Sequence, residues 1–100
     1  MGKIIKIELT YFGYLRVDFQ KLSEMYLLPH NSKIQDLLIK LADKYGEIFK
    51  SHIFNPIIKT LKDDILININ GIAIRQLQDL NTKLKNGDKI EFIPLFSGGG

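Results

Sequence analysis

From residue 3 the chain runs "KIIKIELTYF", in which Ile5, Ile7, Leu9 and Tyr11 alternate with Lys6, Glu8 and Thr10. Successive side chains of a strand point to opposite faces, so this stretch predicts a half-buried strand with those four apolar residues inward. Gly13 allows a turn, and "EMYLLP" predicts a second strand with Tyr26 and Leu28 inward and Pro29 ending it. The two strands form an expected N-terminal hairpin, with the register of residues 13–22 left open. "NSKIQDLLIKLADKYG" then changes period: Ile34, Leu37, Leu38, Leu41, Ala42 and Tyr45 recur at spacings of three and four, the signature of an amphipathic helix. Ser32 is placed to cap it with Gln35 reaching back, and Gly46 to close it in the left-handed conformation.

Residues 47–63 read as an irregular connection with a short helical turn, anchored by Ile48, Phe49, Ile53 and Phe54 before Asn55-Pro56 breaks any helix. "ILININGIAI" places two β-branched runs about an Asn-Gly pair, a strong hairpin signal, with Ile65, Ile67 and Ile69 inward. "RQLQDLNTKL" predicts a link with one helical turn, and "KNGD" turns the chain into "KIEFIPLF". There Ile90 and Phe92 share one face, while Ile93 and Leu95 share the other. A strand apolar on both faces is either central or keeps its second face open for a partner. The order strand, strand, helix, strand, short strand, strand predicts an α+β layer of sheet and helix.

Composition narrows the class. The 100 residues suit one domain, and 45% hydrophobic with 25% charged residues is an ordinary globular balance. No apolar stretch nears the roughly 18 residues of a membrane span. Lys6 and Glu8 interrupt any signal-peptide core, and Lys6 stands where myristoylation expects Ser or Thr, so a cytoplasmic protein without a membrane partner is expected. The net charge is +3 with lysines scattered along the chain and no like-charge block, which gives no reason to expect a nucleic-acid partner. The absence of cysteine excludes disulfides, a thiolate nucleophile, zinc-thiolate sites and a side-chain persulfide.

Side-chain chemistry is sparse. His30 and His52 lie far apart without an acidic neighbour at ligand spacing, so no metal site is expected. Asp63, Asp64 and Asp88 read as turn and loop residues. No glycine-rich phosphate loop lies between a strand and a helix. What stands out is the ending, "FSGGG". With glycine at about 7% of residues, three in a row at a given end arise by chance in roughly one chain in three thousand.

"ININGIAI" followed by "LKNGDKIEFIPLFSGGG" resembles the sulfur-carrier branch of the ubiquitin-like proteins: the small subunit of molybdopterin synthase, the thiamine-pathway sulfur carrier and the archaeal small modifier proteins. The shared features are Ile69-Asn70-Gly71, Gly87-Asp88, the strand from Ile90 to Pro94 and the closing glycines, and the start of the helix at "LPHNSKIQDLLIKLADKYG" is similar too. The resemblance implies a β-grasp (ubiquitin-like) mixed sheet with one main helix packed on it, in which the first and last strands run parallel and adjacent. The domain would span residues 1–96, with a flexible glycine tail over 97–100. Two features depart from the family: Pro94 stands alone where two prolines are common, and Gly100 adds a third glycine to the usual two.

The resemblance further implies a sulfur carrier of molybdenum-cofactor biosynthesis, with no catalytic side chain and no bound cofactor of its own. An adenylating enzyme of the ubiquitin-activating type, using ATP, would activate the terminal carboxylate, and a sulfur donor would convert it to a thiocarboxylate. The large subunit of molybdopterin synthase would then receive the tail. Gly100 and Gly99 would carry the reacting end, Ser97 and Gly98 the stalk, and Ile93, Leu95 and Phe96 the apolar patch that holds the partner. Glycine suits such a stalk because it lacks a Cβ and reaches backbone angles closed to other residues. The alternatives are a ubiquitin-like protein modifier or a tRNA-thiolation carrier using the same activated terminus, and an interaction module whose tail is inert.

Overall fold

The computed structural model describes residues 2–95. β1 (Ile4–Tyr11) buries Ile5, Ile7, Leu9 and Tyr11 as the alternation predicts, and pairs antiparallel with β2 (Ser23–Pro29), where Leu28 is buried and Tyr26 half-buried. The intervening stretch, open in the sequence, forms a short helix α1 (Leu15–Phe19) that drops Leu15 and Phe19 into the core and is ended by Gln20 at φ 56°. The main helix α2 (Ile34–Tyr45) buries Ile34, Leu37, Leu38, Leu41 and Ala42.

Both ends of α2 differ in detail from expectation. Lys33, in extended conformation, is the capping position, and its backbone N–H donates to the Asp36 carboxylate at 2.8 Å. Only the reaching-back half of the expected arrangement is therefore present, and it uses Asp36 instead of Gln35, since the Lys33 side chain has no acceptor to return. Ser32 is diverted: its hydroxyl donates to the Pro29 carbonyl at 2.6 Å. Gly46 has φ 70° but ψ −140°, outside the left-handed helical well, because it closes α2 and at once starts a second helix, α3 (Glu47–His52). Residues after it are more regular than the predicted connection, with a small hairpin of β3 (Phe54–Asn55) and β4 (Thr60–Leu61). Phe49, Ile53 and Phe54 anchor this segment as expected, each fully buried.

β5 (Ile65–Ile69) and β6 (Ile72–Ala73) form the expected hairpin about Asn70 and Gly71, both at positive φ, the geometry whose twist suits a two-residue turn. Two short 3₁₀ turns, Ile74–Gln76 and Asp79–Asn81, occupy the link where one turn was predicted. The chain then enters β7 (Lys89–Pro94). The five-stranded sheet has the order β2-β1-β7-β5-β6, with β1 and β7 parallel and the other pairs antiparallel. A mixed sheet with a main helix on one face and a parallel first and last strand is the β-grasp fold.

The core is one cluster between the sheet and the helices. At its centre Tyr11 stacks between Phe19 at 4.9 Å and Phe92 at 5.4 Å, joining β1, α1 and β7. Each such fully buried large side chain contributes about 1.5–3 kcal/mol through removal of apolar surface from water. The Asn-Gly and Gly-Asp motifs lock together: the Asn70 side-chain amide donates to Asp88 Oδ1 at 2.9 Å, and its oxygen accepts from the Lys89 N–H at 3.0 Å. That bond set fixes where β7 begins.

Candidate functional site at the root of the tail

β7 holds the middle of the sheet, paired with β1 on one side and β5 on the other. Its far end, at Pro94, is followed in sequence by Leu95, the last described residue, and then by residues 96–100. Pro94, opposite Ile65, has no N–H to offer the ladder, so pairing stops there. Three contacts hold the last described residues. The Phe12 N–H donates to the Phe92 carbonyl at 3.1 Å, and the Leu95 N–H donates to the Asp64 carbonyl at 2.7 Å. Gly13, at φ 58°, lets its backbone close on the proline ring: a Cβ there would stand 2.8 Å from Pro94 Cγ.

On the outer face of the sheet, away from α2, Ile93 is half-buried opposite half-buried Leu66, and Leu95 is 52% exposed. Of the predicted partner patch, the structure therefore places Ile93 and Leu95 at the C-terminal end of the described chain, half-buried and exposed respectively. Phe96, Ser97, Gly98, Gly99 and Gly100 lie outside the described residues. Ile90 and Phe92 point the other way and are fully buried.

Polar groups near the root are few. His52 Nδ1 stands 3.5 Å from Asp18 Oδ2, giving this histidine an acidic neighbour that the sequence separation concealed. The Tyr14 ring lies beside His52, and burial, with Asp64 and Asp18 nearby, pushes its hydroxyl pKa up. Arg16 donates from Nε to the Tyr11 carbonyl at 3.0 Å and lies over the Phe12 ring. Among the described residues no group of three or more His, Cys, Asp or Glu is placed to hold a metal ion. Asp88 is occupied by the Asn70 amide and the Lys85 N–H, and Asp64 serves the root through its carbonyl, so both act as turn residues.

A larger polar cluster binds β1 and β2 to α2. Glu24 Oε2 accepts from the hydroxyls of Tyr11 at 2.7 Å and Tyr45 at 2.6 Å, while Lys44 approaches Oε1 at 3.1 Å. Its partners account for its carboxylate, and its role is to fasten the helix to the sheet. Among the described residues the arrangement thus offers a base for the chain end and no assembled set of reacting side chains. Gly13 is the site residue that sequence reasoning missed in this role. Its positive φ is legible as a turn, but its contact with Pro94, 81 positions away, is not.

Residues 9–99 match the model of the ThiS family. No protein with a curated description matches the chain. Among solved structures, small archaeal modifier protein 1 of Methanosarcina acetivorans is 31% identical, with 98% of this chain and 100% of that one covered and a TM-score of 0.77. Urm1 of Sulfolobus solfataricus is 29% identical over 87% of this chain and 97% of its own, with a TM-score of 0.66. The candidate molybdopterin converting factor subunit 1 of Pyrococcus furiosus, 24% identical over 92% of this chain and 99% of its own, shares the fold with a TM-score of 0.72.

Proposed function

The chain belongs to the ThiS family of ubiquitin-like sulfur-carrier proteins, and from there we propose that its terminal glycine carboxylate is adenylated and converted to a thiocarboxylate that supplies sulfur for molybdopterin synthesis. The observation that carries this reading is the root of the tail: a central strand, pinned at Pro94 and Leu95 by Gly13 and Asp64, followed in sequence by Phe96 and then Ser-Gly-Gly-Gly. A carboxylate ionises near pH 3.5 and is a poor acyl donor at neutral pH. Attack of that carboxylate on the α-phosphate of ATP releases pyrophosphate and leaves an acyl-adenylate. Hydrosulfide from the sulfur donor then attacks the carbonyl carbon, the C–O bond to AMP breaks and AMP departs, and loss of a proton leaves the thiocarboxylate.

All of that chemistry belongs to the adenylating enzyme, the sulfur donor and the synthase large subunit that receive the tail. The carrier's part is presentation. Four residues from Ser97 reach at most about 14 Å, enough to enter a cleft, and ordering them costs about 1–2 kcal/mol per residue. A folded contact must offset that cost, and Ile93 with Leu95 is placed to make it. A second reading, protein modification through the same acyl-adenylate with a lysine amine as nucleophile, is favoured by the 31% identity to a modifier protein.

Mass spectrometry of the C-terminal peptide from protein isolated from its native cells, without reductant and at neutral pH, tests both. A peptide heavier by the difference between sulfur and oxygen, ending at Gly99 or Gly100, supports the carrier. The same peptide joined to lysine side chains supports the modifier. A terminus found only unmodified, even after incubation with the adenylating enzyme, ATP and a sulfur donor, rejects both.

A further inference from the structure

Lysines that are scattered in sequence are gathered by the fold at the end of the sheet opposite the tail. Lys3 and Lys6 lie at the start of β1, Lys33 at the start of α2, Lys83 and Lys85 in the loop before β7, and Lys89 at its first residue. Contacts tie these segments together: Lys33 and Lys83 form a β-bridge, the Gly87 N–H donates to the Lys6 carbonyl at 2.8 Å, and the Leu84 N–H donates to the Ser32 carbonyl at 2.8 Å. The ends of β7 are about 17 Å apart at 3.3–3.4 Å per residue, so this pole and the tail root face different surroundings.

The charge balance is uneven. The segments that carry these six lysines hold three carboxylates, Glu8, Asp36 and Asp88, an excess of three positive charges in a chain whose formal net charge is +3. Two of the three carboxylates are also hydrogen-bonded to the chain, exposed Asp36 to the Lys33 N–H and buried Asp88 to the Lys85 N–H and the Asn70 amide. Among the described residues none of the six ammonium groups takes part in an ion pair. Five of the six lysines are exposed and Lys33 is half-buried.

We propose that this pole binds the phosphate backbone of a nucleic acid, without reading its sequence, while leaving the tail free. Lysine is depleted from protein–protein interfaces but is a standard phosphate contact. No Phe or Tyr lies among these segments, so base stacking adds nothing and affinity rests on counterion release. The expectation of no nucleic-acid partner rested on the scatter of lysines, which the fold removes, and on the lack of interleaved aromatics, which fits binding to the backbone alone. Binding at this pole is independent of the tail's chemistry.

The test is fluorescence anisotropy of a labelled single-stranded RNA with the full chain, titrated between about 50 and 200 mM salt. Removing one lysine–phosphate pairing changes the slope of log K against log salt by about 0.7 on a single strand. Replacing Lys83→Gln and Lys85→Gln together is expected to flatten it by about 1.4. Lys50→Gln with Lys62→Gln, on α3 and just after β4, should leave it unchanged, and circular dichroism melts check that both variants are folded. Absence of binding at about 50 mM salt overturns the proposal, as does a slope indifferent to Lys83 and Lys85. Equal competition by polyglutamate at matched charge also overturns it, and assigns the pole to an acidic protein surface.

Discussion

Gly13 and Pro94 touch so closely that a Cβ at position 13 would stand 2.8 Å from the proline Cγ. The glycine also sits at φ 58°, where an L side chain is strained. The turn after the first strand and the end of the last strand are therefore one joint, one residue before the described chain ends at Leu95. Gly13→Ala is expected to cost about 1–3 kcal/mol, combining the positive-φ penalty with overpacking against the ring. The urea midpoint measures this. If the joint aims the tail, adenylation should also slow at temperatures where the variant is fully folded. A variant as stable and as readily adenylated as the parent would show that the contact neither supports the fold nor orients the chain end.

Leu95 supplies the second prediction. It is half exposed on the outer face and bonded to the domain through its N–H, which donates to the Asp64 carbonyl. A substitution that keeps the backbone should leave that bond intact. Leu95→Asp is accordingly expected to leave the melting temperature within a few degrees, since exposed positions change stability by about 0.5 kcal/mol or less. Its affinity for the adenylating enzyme should fall at least tenfold, about 1.4 kcal/mol, as an apolar anchor becomes a charge. Calorimetry and a thermal melt read the two quantities separately. A large fall in melting temperature with unchanged affinity would assign Leu95 to the core.

Period and turn chemistry made most of the sheet legible. Ile5, Ile7, Leu9 and Tyr11 alternate because one face of β1 is buried, and Asn70-Gly71 marks its hairpin because both residues adopt positive φ. α1 was not legible: five residues give a single pair, Leu15 and Phe19, at helical spacing, and Tyr14 before it makes no side-chain cap. The cap of α2 was misplaced by one residue because Ser32 has a competing acceptor in Pro29, a choice decided by the approach of the preceding strand. Long-range relations stayed hidden for a plain reason. Gly13 with Pro94, His52 with Asp18 and Asn70 with Asp88 each join segments whose proximity exists only after the sheet is assembled. The glycine run was visible at once, but its chemistry came from resemblance, since no side chain announces it.

Gly99 tests the stalk itself. Gly99→Val adds a β-branched side chain next to the reacting end, outside the described residues. Such a residue narrows the accessible backbone angles and adds bulk that a cleft shaped for glycine does not admit. Adenylation, followed by pyrophosphate release, is expected to fall below detection while the thermal melt stays superimposable on the parent's. Normal pyrophosphate release by the variant would remove the steric argument for a glycine tail.

Glu24 gives the pH dependence. Burial works to raise its carboxyl pKa, but hydrogen bonds from Tyr45 and Tyr11 and the contact with Lys44 outweigh that, so it titrates below its ordinary value. A carboxyl with a lowered folded pKa contributes stability that is fully present above its unfolded value, about 4.3, and is lost as pH falls through the folded one. The opposite sign applies to Tyr11, whose hydroxyl pKa is driven up by burial and by Glu24. Its contribution is complete below about pH 10 and erodes above it, where the unfolded phenol ionises. Glu24→Gln keeps the size but loses the charge, and should cost about 1.5–3 kcal/mol at pH 7, the worth of hydrogen bonds to a charged group. The decisive reading is the shape of the curve, because urea midpoints of the parent should decline below about pH 4.3 more steeply than those of the variant. Parallel curves would mean that the carboxylate is no better held in the folded chain than in the unfolded one, and that the clasp between β2 and α2 rests on packing alone.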